Sequence, residues 1–168
     1  MATTNPRHPI FSIPEEGVWE VYLPIAPVPA ARPRVSRWGT YYPKTYREWK
    51  ASAAGLLKPF WKEGSPTDET VCVSVHAVAK RPQKLTRPLP HPDVDNYVKA
   101  VLDVITGSQL VWQDDRQVAY LWATKRYADA GETPHSFIRV TVDEARLFSE
   151  ADVDVYDLPA RFRVPYEE

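Results

Sequence analysis

Apolar and polar positions alternate along two stretches of the chain, and four stretches in all read as strands. Val18 to Ile25 (V-W-E-V-Y-L-P-I) reads as a first strand, and Pro24, Pro27 and Pro29 rule out its continuation as a central strand. Thr70 to Ala79 is a second strand, with Val71, Val73, Val75 and Ala77 on one face and Cys72, Ser74, His76 and Val78 on the other. Gln117 to Tyr127 and Ser136 to Val142 are two more. Helical spacing replaces alternation at Val94, Tyr97, Val98, Val101, Leu102 and Ile105, with Gly107 as the expected stop. Another helix is expected from about Pro43–Thr45 to about Lys58, ended by Pro59. Before it, R-V-S-R-W-G-T-Y-Y reads as a hairpin turning near Trp38-Gly39. Phe60 to Glu69 is a loop, Met1 to Glu16 a tail, and a short helix near Glu144 to Ala151 precedes an extended C-terminal tail.

Composition narrows this picture. A chain of 168 residues with 43% hydrophobic positions supports one packed domain with tails, read as residues 1–17, 18–142 and 143–168. Seventeen prolines favour extended segments and fixed turns over long helices. No stretch resembles a signal peptide or a membrane span. The single cysteine excludes an intramolecular disulfide, which fits a reducing cytoplasm. Cys72 reads as a packed thiol and His76 as a sheet-face residue. His8, His76, His91 and His135 show no zinc-ligand spacing.

The net charge of -1 hides segregation. Arg32, Arg34, Arg37, Lys44, Arg47 and Lys50 form a basic block opposed only by Glu48, interleaved with Trp38, Tyr41, Tyr42, Tyr46 and Trp49. Lys80, Arg81, Lys84 and Arg87 form a second block in a proline-broken loop. Basic and aromatic residues together suit a phosphate backbone and unstacked bases. A solvated basic face over core aromatics is the plainer alternative. The second block leads into the acidic centre, where Asp93/Asp95 and Asp114/Asp115 flank the helix that carries Lys99. Like charges repel unless something compensates them. Mg²⁺ would, because it prefers oxygen ligands and needs only a few carboxylates beside a substrate phosphate. An N-cap plus Asp95–Lys99–Asp103 surface pairs, worth ~0.3–0.5 kcal/mol each, accounts for part of the cluster. It leaves Asp93 and the Asp114-Asp115 pair without a reason.

The order D-x-D-N-x-x-K-x-x-x-D (Asp93, Asp95, Asn96, Lys99, Asp103), followed by W-x-D-D-x-Q-V (Trp112, Asp114, Asp115, Gln117, Val118), resembles the RusA-like family of Holliday junction resolvases. The likeness covers roughly Val18 to Val142 and extends to A-R-P-R from Ala31 and K-R-Y from Lys125. It implies an α+β fold with a small mixed β-sheet packed with two main helices, a homodimer, and cleavage of four-way DNA junctions with Mg²⁺ or Mn²⁺. It also implies that Asp93, Asp95 and Asp115 bind metal and act in catalysis with Lys99, with Asn96, Asp103 and Asp114 beside them. The family members are bacterial or phage proteins of the cytoplasm. In this chain the segment from Asp103 to Trp112 is a residue longer than in the family member to which it aligns. Counting forward from the helix selects Asp114, whereas anchoring on W-x-D-D selects Asp115. The anchor is preferred, because loops tolerate insertion and a strand fixes what enters it. The rival reading is a non-catalytic junction-binding protein whose acidic cluster is structural.

Overall fold

The computed structural model of the chain describes residues 9–147. Within them a five-stranded sheet runs in the order β1-β2-β7-β5-β6, and a separate two-stranded sheet pairs β3 with β4. The strands are β1 (Phe11–Glu15), β2 (Val18–Leu23), β3 (Arg34–Ser36), β4 (Gly39–Tyr41), β5 (Val71–Ala79), β6 (Val118–Tyr127) and β7 (His135–Thr141). The helices are α1 (Lys44–Leu57) and α2 (Val94–Ser108). The fold is α+β with a mixed sheet, since β5 and β6 are parallel while the other neighbours are antiparallel.

β1 departs from the expected N-terminal tail. Pro14 interrupts the alternation of F-S-I-P-E, yet an edge strand tolerates the missing N–H, and the register slips between Ser12 and Glu15. Gly17, at φ +75°, turns the chain back into β2, and a Cβ there would lie 2.8 Å from Val142 Cγ2. Residues 1–8 of that tail lie outside the described residues.

The main core lies between one face of the sheet and the two helices. Trp19, Val21 and Leu23 of β2, Val71, Val73 and Val75 of β5, and Ile138 and Val140 of β7 supply the sheet side. Tyr46, Trp49, Ala53 and Leu57 line α1 at helical spacing. On α2 the buried stripe is Tyr97, Val98, Ala100, Val101, Val104 and Ile105; Val94 and Leu102 sit at its margins, half-buried. Gly107 does not end α2. The helix runs through Ser108, and Gln109 takes the left-handed conformation at φ 55°. Its side-chain amide donates to Thr106 O at 2.7 Å and Gln113 O at 3.0 Å, which holds a non-glycine residue in that turn. Among the described residues no helix is long and apolar enough to cross a membrane.

The opposite sheet face carries buried polar groups. Arg139 pairs with Glu20 at 2.6 Å and donates to Arg146 O at 3.2 Å. A 3-10 turn at Glu144–Arg146 starts the expected C-terminal helix, capped by Asp143, and Leu147 is buried. Residues 148–151 of that expected helix, and the expected tail after them, lie outside the described residues. His76 is on this face as expected, sharing a hydrogen bond with Thr124 Oγ1 at 2.5 Å beside the Trp122 ring.

Burial first, then the nearby Arg126 and His135, pulls the His76 pKa from 6.5 to about 3. Between those values the unfolded chain binds a proton that the folded chain does not. Stability therefore falls as pH drops from 6.5 toward 3. Urea melts at stepped pH should show the wild type losing up to about 1.4 kcal/mol more per pH unit than His76→Gln. Parallel pH profiles would refute a neutral buried imidazole.

Candidate active site

The connection from β5 to β6 carries all of the acidic candidates. It begins as the basic loop 80–92, whose end is held by three side chains. Tyr127 Oη donates to Leu89 O at 3.1 Å, Tyr97 Oη to His91 O at 3.1 Å, and Lys125 Nζ to Pro92 O at 2.6 Å. These bonds fix the backbone that enters Asp93. Asp93 occupies the N-cap position of α2, but its carboxylate makes no capping hydrogen bond. Asp95 lies exposed in the first turn, with Asn96 Nδ2 donating to it at a long 3.4 Å. Neither carboxylate has a cationic partner among the described residues. The positive end of the helix dipole favours their charge and leaves their oxygens open to a ligand.

Lys99 is directed away from Asp95. Its Nζ lies 2.7 Å from Asp103 Oδ1 and 3.6 Å from Asp115 Oδ2, so the expected Asp95–Lys99–Asp103 ladder forms only in its second half. The hydrogen bond to Asp103, then the charges of Asp103 and Asp115, raise the Lys99 pKa against the opposing effect of desolvation. The amine is therefore a persistent cation, not a base. Tyr46 of α1 donates to Asp103 Oδ2 at 3.4 Å. Burial and the Asp103 charge push its phenol up to about 12, so it keeps its proton.

The W-x-D-D-x-Q block is a folded turn. Trp112 is fully buried, and its indole donates to Thr106 Oγ1 at 2.8 Å. Gln117 Oε1 accepts from the backbone N–H groups of Gln113 and Asp114, while Nε2 donates to Thr67 O and Glu69 O. Asp114 caps the 3-10 turn Asp115–Gln117 by accepting from Arg116 N at 2.9 Å, and it also pairs with the Arg116 guanidinium at 3.1 Å. These contacts hold its carboxyl below the usual range. With Asp114 occupied locally, Asp115 is the member of the pair that meets Lys99.

The basic candidates lie on segments that adjoin the site in the chain or through the backbone. Ala30 N donates to Asn96 O at 2.8 Å, which ties the proline-rich segment before Arg32 to the first helical turn. Arg32, Arg34 and Arg37, and Lys80, Arg81 and Lys84, are exposed and unpaired with any carboxylate among the described residues. Lys44 differs, because it lies 3.6 Å from Glu48. Lys80 and Arg81 line an open cleft of about 550 Å³ with Pro24 and Ala26.

Among the described residues no three Asp, Glu, His or Cys side chains gather to hold an ion between them. The donors still suit Mg²⁺ in kind. They are carboxylate oxygens at an open surface, and that ion keeps several waters and commonly takes one or two carboxylates plus substrate phosphate. The charges of Asp93, Asp95 and Asp115 were legible in the sequence. Lys125, Tyr97, Tyr127 and Tyr46 were not assigned to the site; K-R-Y was noticed as a motif, but its pairing with a loop some thirty residues earlier is a tertiary fact.

The family described as "Endodeoxyribonuclease RusA" matches residues 24–141. A protein of Bacillus subtilis (strain 168), "Uncharacterized protein YqaN", is 39% identical over 64 residues, which cover 38% of this chain and 44% of that protein. The chain thus spans less than half the length of that relative.

Lysine side-chain NMR tests the electrostatics directly. Asp103→Asn should lower the Lys99 pKa most, Asp115→Asn should lower it less, and Asp114→Asn should leave it in place. Equal shifts from Asp114→Asn and Asp115→Asn would contradict the assignment of Asp115 as the partner.

Proposed function

We propose that this chain, which belongs to the endodeoxyribonuclease RusA family, is a metal-dependent endonuclease that resolves four-way DNA junctions by paired phosphodiester hydrolysis. One observation carries the reading. Asp93 and Asp95 lack cationic partners at the start of α2, while farther along that helix Lys99 is held between Asp103 and Asp115. An exposed, uncompensated pair of carboxylates on the same helix as a clamped ammonium suits a site that handles phosphate and a cation together.

Asp93, Asp95 and Asp115 would hold Mg²⁺ or Mn²⁺, which supplies charge stabilisation on phosphate and a water acidified toward neutral pH. Lys99 stays protonated and presents fixed positive charge to the scissile phosphate as negative charge develops. Asp103 and Tyr46 position the Lys99 amine. Asn96 supports the first turn through its backbone carbonyl, and Asp114 shapes the turn that presents Asp115. The basic segments around residues 32–37 and 80–84 carry the DNA arms. A four-way junction has near two-fold symmetry, so a homodimer would offer two equivalent sites for two nicks.

The second reading, a non-catalytic protein that binds branched DNA, draws on the lack of any three-carboxylate cluster among the described residues. A synthetic four-way junction separates the two. Nicking should require Mg²⁺ or Mn²⁺ and vanish in EDTA. Asp95→Asn and Asp115→Asn should abolish it while junction binding persists, and Asp114→Asn should keep a reduced rate. Sedimentation should give a dimer at micromolar concentration. Junction binding without nicking in any divalent ion would favour the second reading, and undiminished nicking in EDTA would remove the metal.

A further inference from the structure

The β3–β4 hairpin shares no sheet with the rest of the fold. Its register pairs Arg34 with Tyr41, Val35 with Thr40 and Ser36 with Gly39, so Arg37 and Trp38 form the tip. Ser36 Oγ accepts from Trp38 N and donates to Gly39 O, both at 3.2 Å, which closes the turn. So short a hairpin has no apolar face of its own to bury, and isolated two-stranded hairpins are marginal in water. Its large side chains are nevertheless turned outward. Val35 is 83% exposed and Trp38 84%. Arg37 lies over one face of the Trp38 ring, 4.8 Å from its centroid, and leaves the rest of the indole open.

The hairpin is also tied to the site at both ends. Upstream, Ala30 bonds to Asn96, the residue after Asp95. Downstream, the Tyr42 ring packs edge-on against Tyr46 at 5.5 Å, and Tyr46 reaches Asp103, the partner of Lys99. An exposed indole rimmed by arginines without acids fits one chemistry well, a polyanion that offers flat π-faces. A continuous duplex hides those faces in its stack; a branch point exposes them.

We infer that the β3–β4 hairpin is the branch-reading element of this chain, with Trp38 stacking on an unstacked base at a discontinuity in DNA while Arg34 and Arg37 contact adjacent phosphates. The inference takes its substrate class from the function proposed above and adds how a branch is told from a duplex. Cleavage then follows from placement: a base held at the tip sets which phosphate reaches the start of α2.

The test uses the full chain in EDTA, a four-way junction with 2-aminopurine beside the branch point, and a linear duplex of the same sequence. Wild-type protein should change the 2-aminopurine fluorescence. Trp38→Ala should erase that change and weaken junction binding roughly tenfold, the scale of one lost base–aromatic stack, while duplex binding stays as in the wild type. Trp38→Phe should recover most of both. Arg34→Ala/Arg37→Ala should weaken junction and duplex alike and flatten the log affinity against log salt slope by about 0.9 per contact.

Circular dichroism checks that each variant folds. Unchanged junction binding and fluorescence in Trp38→Ala would overturn the inference, as would an equal loss on duplex. A shift from dimer to monomer in Trp38→Ala would instead make the hairpin a subunit contact, which also overturns it. Nicking in Mg²⁺ is read separately. Protein that reports the branch but does not nick sinks the endonuclease and keeps the hairpin role. Protein that nicks normally without Trp38 sinks the hairpin role alone. Wild-type protein that prefers duplex to junction sinks both.

Discussion

Parallel pairing between β5 and β6 is the constraint from which the site follows. Two parallel neighbours cannot be joined by a tight turn, so the chain must cross over the sheet before re-entering it. Here the crossover is the loop 80–92, α2 and the turn 109–117, and it contains Asp93, Asp95, Lys99, Asp103, Asp114 and Asp115. Because α2 packs on the sheet through Val98, Val101 and Ile105, its opposite side must face water. The acidic side chains and Lys99 lie on that outer surface. Their display is a by-product of burying the other half of the helix.

The crossover would position nothing if its ends were loose. At one end Lys125 and Tyr127 hold backbone carbonyls of the incoming loop, and at the other Trp112 and Gln117 fold the outgoing turn. Motif residues that look chemical from the sequence are thus mostly mechanical. Gln117 satisfies four backbone groups and leaves little freedom to the turn. Asp114 spends its charge on Arg116 and the turn, which is why adjacent identical residues end with different surroundings.

Much of this is legible in the sequence. Alternation located β2 and β5, and the apolar spacing located α2, because burial on a regular element imposes its period on the sequence; β6 and β7 were also read as strands. β1 was missed because Pro14 breaks that period at a sheet edge where the break costs little. Gly107 misled as a helix stop, since the left-handed residue is Gln109, supported by bonds its own side chain makes. The acidic centre could be read from local spacing. The direction of Lys99 could not, because it depends on Asp115 arriving from a turn sixteen residues on. Tyr46 was equally hidden, as an aromatic in a basic run that turns out to serve a carboxylate on another helix.

Among the described residues β6 is the last strand of the sheet, paired on one side only. Two of the three side chains that hold the approach to Asp93 sit in its final three residues, Lys125 to Tyr127. Local opening of a strand end is set by its own few contacts and can cost much less than global unfolding. Opening there frees the entry to α2 without requiring the core between sheet and helices to open. Fraying of the strand end and release of the backbone that enters Asp93 are thus one event, since the same side chains belong to both.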